Sequence, residues 1–100
     1  MTIKETHLKG CFIIEPRVFK DVRGYFFESF NAKEISNSLG LQVNFVQDNE
    51  SYSSKGVIRG LHYQTGAFAQ TKLIRVLSGA VLDVVVDIRK DSLTYGQHFS

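Results

Sequence analysis

The segment Val81-Leu82-Asp83-Val84-Val85-Val86-Asp87-Ile88 constrains the chain more than any other. Side chains alternate between the two faces of a β-strand. Leu82, Val84, Val86 and Ile88 therefore share one face, and Val81, Asp83, Val85 and Asp87 share the other. A helical period of 3.6 would scatter both sets, so the segment specifies a strand, and a strand needs neighbours to pair with. Five further segments carry strand signals. Residues 11–15 and 25–30 are rich in Phe, Ile and Tyr, and residues 43–54 alternate Val43, Phe45 and Gln47 with Asn44, Val46 and Asp48. Residues 57–63 and 71–77 read as two more, with Ser78-Gly79 as a tight hairpin turn after the second.

One helix fits between the strands. Asn31 is suited to cap it, Glu34 stands three residues later in a capping-box arrangement, and Gly40 suits the left-handed C′ position. Ile35 and Leu39, four apart, make its apolar side. At about eight residues such a helix must rest on a sheet to persist. Many short strands, with turn signals every 8–12 residues, predict an all-β sandwich or jelly roll. The expected organisation is a single domain over 1–100, incomplete because a jelly roll needs about eight strands. Further strands would come from chain beyond Ser100 or from a second copy.

Composition removes several classes. With 43% hydrophobic and 22% charged residues the chain has the apolar content that disordered segments lack. A formal charge of +2 is too weak a field to imply nucleic acid or an anionic membrane as partner. Cys11 is the sole cysteine, which precludes an intrachain disulfide and reads as a small buried hydrophobe before Phe12-Ile13-Ile14. Met1-Thr2-Ile3-Lys4-Glu5 opens no apolar signal segment, and no apolar run approaches the ~20 residues of a bilayer span. A cytoplasmic location is expected.

The chemistry-bearing residues fall on strand-like segments. Gln47-Asp48-Asn49, Arg59-Gly60-Leu61-His62 and Gln70-Thr71-Lys72 all sit among apolar neighbours. An unpaired buried polar group costs about 1–3 kcal/mol, so three such stretches predict a polar cavity or a wet interface rather than three solvated faces. His62 is the natural general base, its ordinary pKa lying near working pH; the competing role is a hydrogen-bonded tie between strands. Lys72 shares parity with Ile74 and Val76, which points it inward as an electrophile or an anion's partner. Arg59 and His62 have opposite parity, and serve one cavity only if the strand bulges at Gly60. Gly56, five residues and His62 resemble the opening of the cupin metal motif. Its next histidine would fall at position 64, which holds Gln64, so no metal or other cofactor is expected.

Five ordered blocks then become recognisable. Asp21-Val22-Arg23-Gly24-Tyr25-Phe26-Phe27-Glu28, Phe45-Val46-Gln47-Asp48-Asn49-Glu50-Ser51 and Gly56-Val57-Ile58-Arg59-Gly60-Leu61-His62-Tyr63-Gln64 come first. Lys72-Leu73-Ile74-Arg75-Val76 with Gly79, and Asp83-Val84-Val85-Val86-Asp87-Ile88-Arg89, follow in order and spacing. Together they resemble the dTDP-4-dehydrorhamnose 3,5-epimerase family over nearly the whole chain. The resemblance implies a cupin-type jelly roll (double-stranded β-helix), of which this chain is the N-terminal half. It further implies a homodimer with exchanged strands, no metal, and a dTDP-sugar substrate. The reaction it implies is epimerisation of dTDP-4-dehydro-6-deoxy-D-glucose at C3 and C5, giving dTDP-4-dehydro-L-rhamnose. By the family's pattern His62 is the base and Lys72 faces the C4 oxygen, while Arg23, Glu28, Gln47, Asp48, Asn49 and Arg59 bind substrate. Asp48 has the opposite parity to Gln47 and Asn49, so its contribution is expected through its backbone. The general-acid tyrosine and the aspartate paired with the histidine belong to the family's second half. A short relative that binds the nucleotide sugar without turnover, and a sister 3-epimerase or ketoisomerase, are the alternatives.

Overall fold

A computed structural model describes residues 1–100. By internal contacts they divide into two units, residues 1–43 with 80–100, and residues 44–79. In chain order the elements are β1 (Thr2–Glu5), β2 (Phe12–Glu15), β3 (Val18–Asp21), β4 (Gly24–Phe27), α1 (Ala32–Leu39), a single 3-10 turn (Gly66–Phe68), β5 (Val85–Val86) and β6 (His98–Phe99). The strands form three separate antiparallel pairs, β1–β2, β3–β4 and β5–β6. No helix is long and apolar enough to cross a membrane.

All three pairs lie in the first unit. In β1–β2, Thr2 faces Glu15 and Glu5 faces Phe12, and Lys4 reaches Glu15 at 2.8 Å along the exposed side. The connecting loop is tied by Thr6, whose Oγ1 donates to the Cys11 carbonyl at 2.9 Å and also lies 3.2 Å from the Leu8 N–H. That loop buries Leu8, while Cys11 is only half-buried. In β3–β4 the pair Phe19–Phe26 shares one face, and Val18–Phe27 and Lys20–Tyr25 share the other. The turn at Val22-Arg23 is fixed by Asp21, whose carboxylate accepts from the Arg23 backbone N–H at 2.8 Å.

The helix forms as its end signals predict. Asn31 Oδ1 accepts from the Glu34 N–H at 3.0 Å. Gly40 adopts φ +66°, and the Gly40 and Leu41 N–H groups close on the carbonyls of Asn37 and Ser36, a Schellman arrangement. The capping box closes on one side only, because the Glu34 carboxylate lies 3.7 Å from the Met1 ammonium. Ile35 is buried and Leu39 half-buried, the stripe expected.

The central strands do not form. Residues 43–54, 57–63 and 71–77 belong to no ladder, and of 81–88 only Val85–Val86 is paired. The hairpin expected at Ser78-Gly79 is accordingly absent. The physical reason is that a strand is a property of a pair: period-two patterning makes a segment competent, but the ladder exists only where another segment exchanges N–H and C=O bonds with it. Leu8 and Ile35 are the only fully buried apolar residues, and Val46, Ile58, Ile74 and Leu82 are all exposed.

Candidate functional site

In the second unit, residues 44–79, the expected binding and catalytic side chains are all exposed: Gln47, Asp48, Asn49, Arg59, His62 and Lys72. The polar cavity predicted from them is not closed by these residues. Lys72 is exposed, because nothing within residues 71–77 forms a ladder whose face could be covered. Gln47 Nε2 donates to Asn49 Oδ1 at 3.3 Å, as their shared parity anticipates, and leaves Asp48 out of the contact.

Arg59 is the most constrained of these groups. Its Nε donates to Ser53 Oγ at 2.8 Å and its Nη2 to the Tyr52 carbonyl at 3.0 Å. One residue on, Gly60 adopts φ +103°, and the Gly60–Leu61 peptide is cis. The expected bulge is thus not an insertion in a ladder but a left-handed glycine in an unpaired segment. A Cβ on Gly60 would stand 3.4 Å from the His62 backbone N and 3.5 Å from its Nδ1, so the imidazole is folded against the glycine. His62 makes no hydrogen bond to another side chain or to the backbone within residues 1–100.

In the first unit, Arg23 sits in the turn of the β3–β4 hairpin and Glu28 directly follows β4. The Arg23 guanidinium grips Asp21 through Nε (3.2 Å) and Nη2 (2.6 Å), which holds the Asp21 carboxyl below its ordinary value and raises Arg23. Glu28 lines a cavity of about 390 Å³ together with Met1, Arg17, Phe19, Phe26 and Glu34. Arg17 lies over the Phe19 ring, 4.8 Å from its centroid. Cys11 borders a second hollow of about 290 Å³ beside Leu8 and the 85–89 segment. No three His, Cys, Asp or Glu side chains converge in a metal-holding group.

The sequence reading missed the most heavily bonded carboxylate in the chain. Asp87, buried, accepts from the Arg89 N–H (3.0 Å) and Nε (2.9 Å), from Arg89 Nη2 (3.0 Å), and from the hydroxyls of Ser92 (2.5 Å) and Thr94 (2.6 Å). Arg89 above all, with the Ser92 and Thr94 hydroxyls, holds it well below the usual carboxylate range. The signal was present twice: Asp21-Val22-Arg23 and Asp87-Ile88-Arg89 share the spacing Asp-x-Arg. In both, the carboxylate takes the backbone N–H two residues on, together with that residue's guanidinium.

The chain is similar to several known proteins. A family model described as dTDP-4-dehydrorhamnose 3,5-epimerase matches residues 5–100. The dTDP-4-dehydrorhamnose 3,5-epimerase of Escherichia coli K12 is 53% identical over 97 residues, covering 97% of this chain and 52% of the relative. A crystal structure of dTDP-4-dehydrorhamnose 3,5-epimerase from Elizabethkingia anophelis NUHP1 superposes with a TM-score of 0.92 at 52% identity, over 99% of this chain and 54% of that one. One from Bacillus anthracis Ames, with TDP and PPi bound, gives 0.90 at 50% identity, over 98% and 56%. The chain spans about half the length of the curated relatives it matches.

Proposed function

This chain belongs to the dTDP-4-dehydrorhamnose 3,5-epimerase family, and on that premise we propose that it is the N-terminal half of an epimerase converting dTDP-4-dehydro-6-deoxy-D-glucose to dTDP-4-dehydro-L-rhamnose. The observation that carries this reading is the extent of the family match. It runs from residue 5 to residue 100 and takes in all of Arg23, Glu28, Gln47, Asp48, Asn49, Arg59, His62 and Lys72.

The chemistry follows from the ketone at C4. Protons on C3 and C5 are α to it, so each can be removed as the C–H electron pair moves through the ring carbon onto the C4 oxygen. His62 accepts the proton at an imidazole nitrogen; its ring carries no competing hydrogen bond within the chain. Lys72 places an ammonium near the C4 oxygen, where enolate charge develops. Return of a proton to the opposite face inverts the carbon, and the acid that delivers it belongs to the other half of the protein. Arg59 binds the diphosphate, and Arg23, Glu28, Gln47, Asp48 and Asn49 are the other substrate-binding positions, Asp48 through its backbone. The presence of TDP in a relative 50% identical supports a nucleotide ligand of this class.

The same reading treats residues 1–100 as one part of a single cupin-type jelly roll in a cytoplasmic homodimer with exchanged strands. Its support is the set of strand-patterned segments, 43–54, 57–63 and 71–77, that find no ladder partner within the chain.

Isotope exchange tests the assignment of the base. In D2O the full-length gene product should incorporate deuterium at C3 and C5 as each enolate is reprotonated. His62→Asn keeps a similar shape without a titratable nitrogen, and exchange should fall by at least about 10²-fold while TDP binding survives. Uptake at the wild-type rate in a folded His62→Asn protein would overturn the role of His62.

A further inference from the structure

Arg59 is held in an unusual way for an exposed arginine. Arg23 and Arg89 each grip a carboxylate two residues earlier, and Arg17 rests on an aromatic ring. The two partners of Arg59, Ser53 Oγ and the Tyr52 carbonyl, are neutral oxygens, so its positive charge stays uncompensated. Immobilising a long exposed side chain costs rotamer entropy, and two neutral contacts in water return little of it. Such restraint is useful when a cation must be ready for an anion, because the ordering is done before the ligand arrives.

The geometry also selects which edge is offered. Nε–H and the near Nη2–H form one side of the guanidinium fork, and both are taken. Nη1 and the outer Nη2–H form the other pair of parallel donors, the arrangement that suits a phosphate. The turn that brings Ser53 within reach is local: the Val57 N–H bonds the Ser54 carbonyl at 3.3 Å, and Gly56 supplies φ +88°.

We propose that Ser53 is a positioning residue, which fixes the Arg59 guanidinium through Nε so that its free edge is presented to the diphosphate of the nucleotide sugar. The inference rests on the reading of Arg59 as a diphosphate ligand, and the test separates the two. In the full-length gene product, Ser53→Ala should weaken TDP affinity by calorimetry about three- to tenfold and raise KM by the same factor. The kcat should stay within about twofold, because the lost contact acts on ground state and transition state alike. Ser53→Thr, which keeps the hydroxyl, should restore affinity to within about twofold, and the melting temperatures of both variants should match the wild type. In an Arg59→Ala background, Ser53→Ala should have no further effect. Wild-type affinity in Ser53→Ala, or an equal loss in the presence and absence of Arg59, overturns the positioning role. If Arg59→Ala weakens TDP tenfold or more in that experiment, the diphosphate reading still stands. Unchanged TDP affinity in Arg59→Ala overturns both.

Discussion

Residues 1–100 on their own should not unfold as a closed domain does. The accessible surface of these residues is 9251 Å² for a mass of 11.3 kDa. A folded monomer of that mass exposes about 5,700 Å², and its unfolded chain about 16,400 Å². The chain therefore buries about 7,100 Å² where a closed domain would bury about 10,700 Å², or two-thirds as much. The difference, about 3,500 Å², is of the size buried in obligate protein interfaces. Denaturant sensitivity scales with surface exposed on unfolding, so the urea m-value of the isolated segment should be about two-thirds of that for a closed domain of this length. With three separate strand pairs and few buried apolar groups, its near- and far-ultraviolet circular dichroism transitions should also fail to coincide. Exposed Val46, Ile58, Ile74 and Leu82 should drive self-association. A monodisperse monomer by light scattering, with coincident transitions and a full m-value, would refute the reasoning.

Two further outcomes can be measured on the full-length gene product. Asn31→Ala removes the acceptor of the Glu34 N–H and should cost about 1 kcal/mol in chemical unfolding, with Asn31→Ser recovering most of it; an unchanged midpoint would deny the cap any role. The Asp87 carboxyl is depressed in the folded state, so its contribution to stability is present above the unfolded carboxyl value near pH 4 and is lost as pH falls below it. Asp87→Asn should lower the melting temperature by roughly 5 °C at pH 7, and the gap to wild type should narrow steadily as pH falls below about 4; a gap that stays constant down to about pH 2 would mean packing, not charge, sustains the loop.

What could be read from the sequence divides by range. The helix was legible to its caps because every signal, Asn31 to Glu34 and Ser36 to Leu41, lies within a few residues. The β2 and β4 strands were legible from their aromatic and branched residues, whereas β1 and β3 were not. Thr2-Ile3-Lys4-Glu5 and Val18-Phe19-Lys20-Asp21 carry mixed residues, and only the register with a neighbour makes them strands. The reverse failure struck residues 43–54 and 71–77, where the pattern is clear and the neighbour is missing. The identities of Arg59, His62 and Lys72 came from motif order, but Ser53 could not. Its meaning depends on a turn at Ser54-Lys55-Gly56-Val57 that the extended reading of 43–54 and 57–63 passed over.

On a regular strand Arg59 and His62 project to opposite faces, so a ligand that needs an anion clamp and a base on one side could not use both. At Gly60 the backbone leaves the extended region altogether, at φ +103°, so strict alternation does not carry from Arg59 to His62. Space is not the limiting factor there, since an added methyl would sit at ordinary contact distances of 3.4–3.5 Å from His62. The dihedral is: side chains other than glycine reach that region only with strain. One glycine therefore decouples Arg59 and His62, the two side chains proposed for the site, from strand alternation. The site's local geometry is thus specified within 52–62, by the Ser53 and Tyr52 oxygens on Arg59 and by the turn of the chain at Gly60. Enclosing these groups takes long-range pairing, whereas the short-range part is written into residues 52–62.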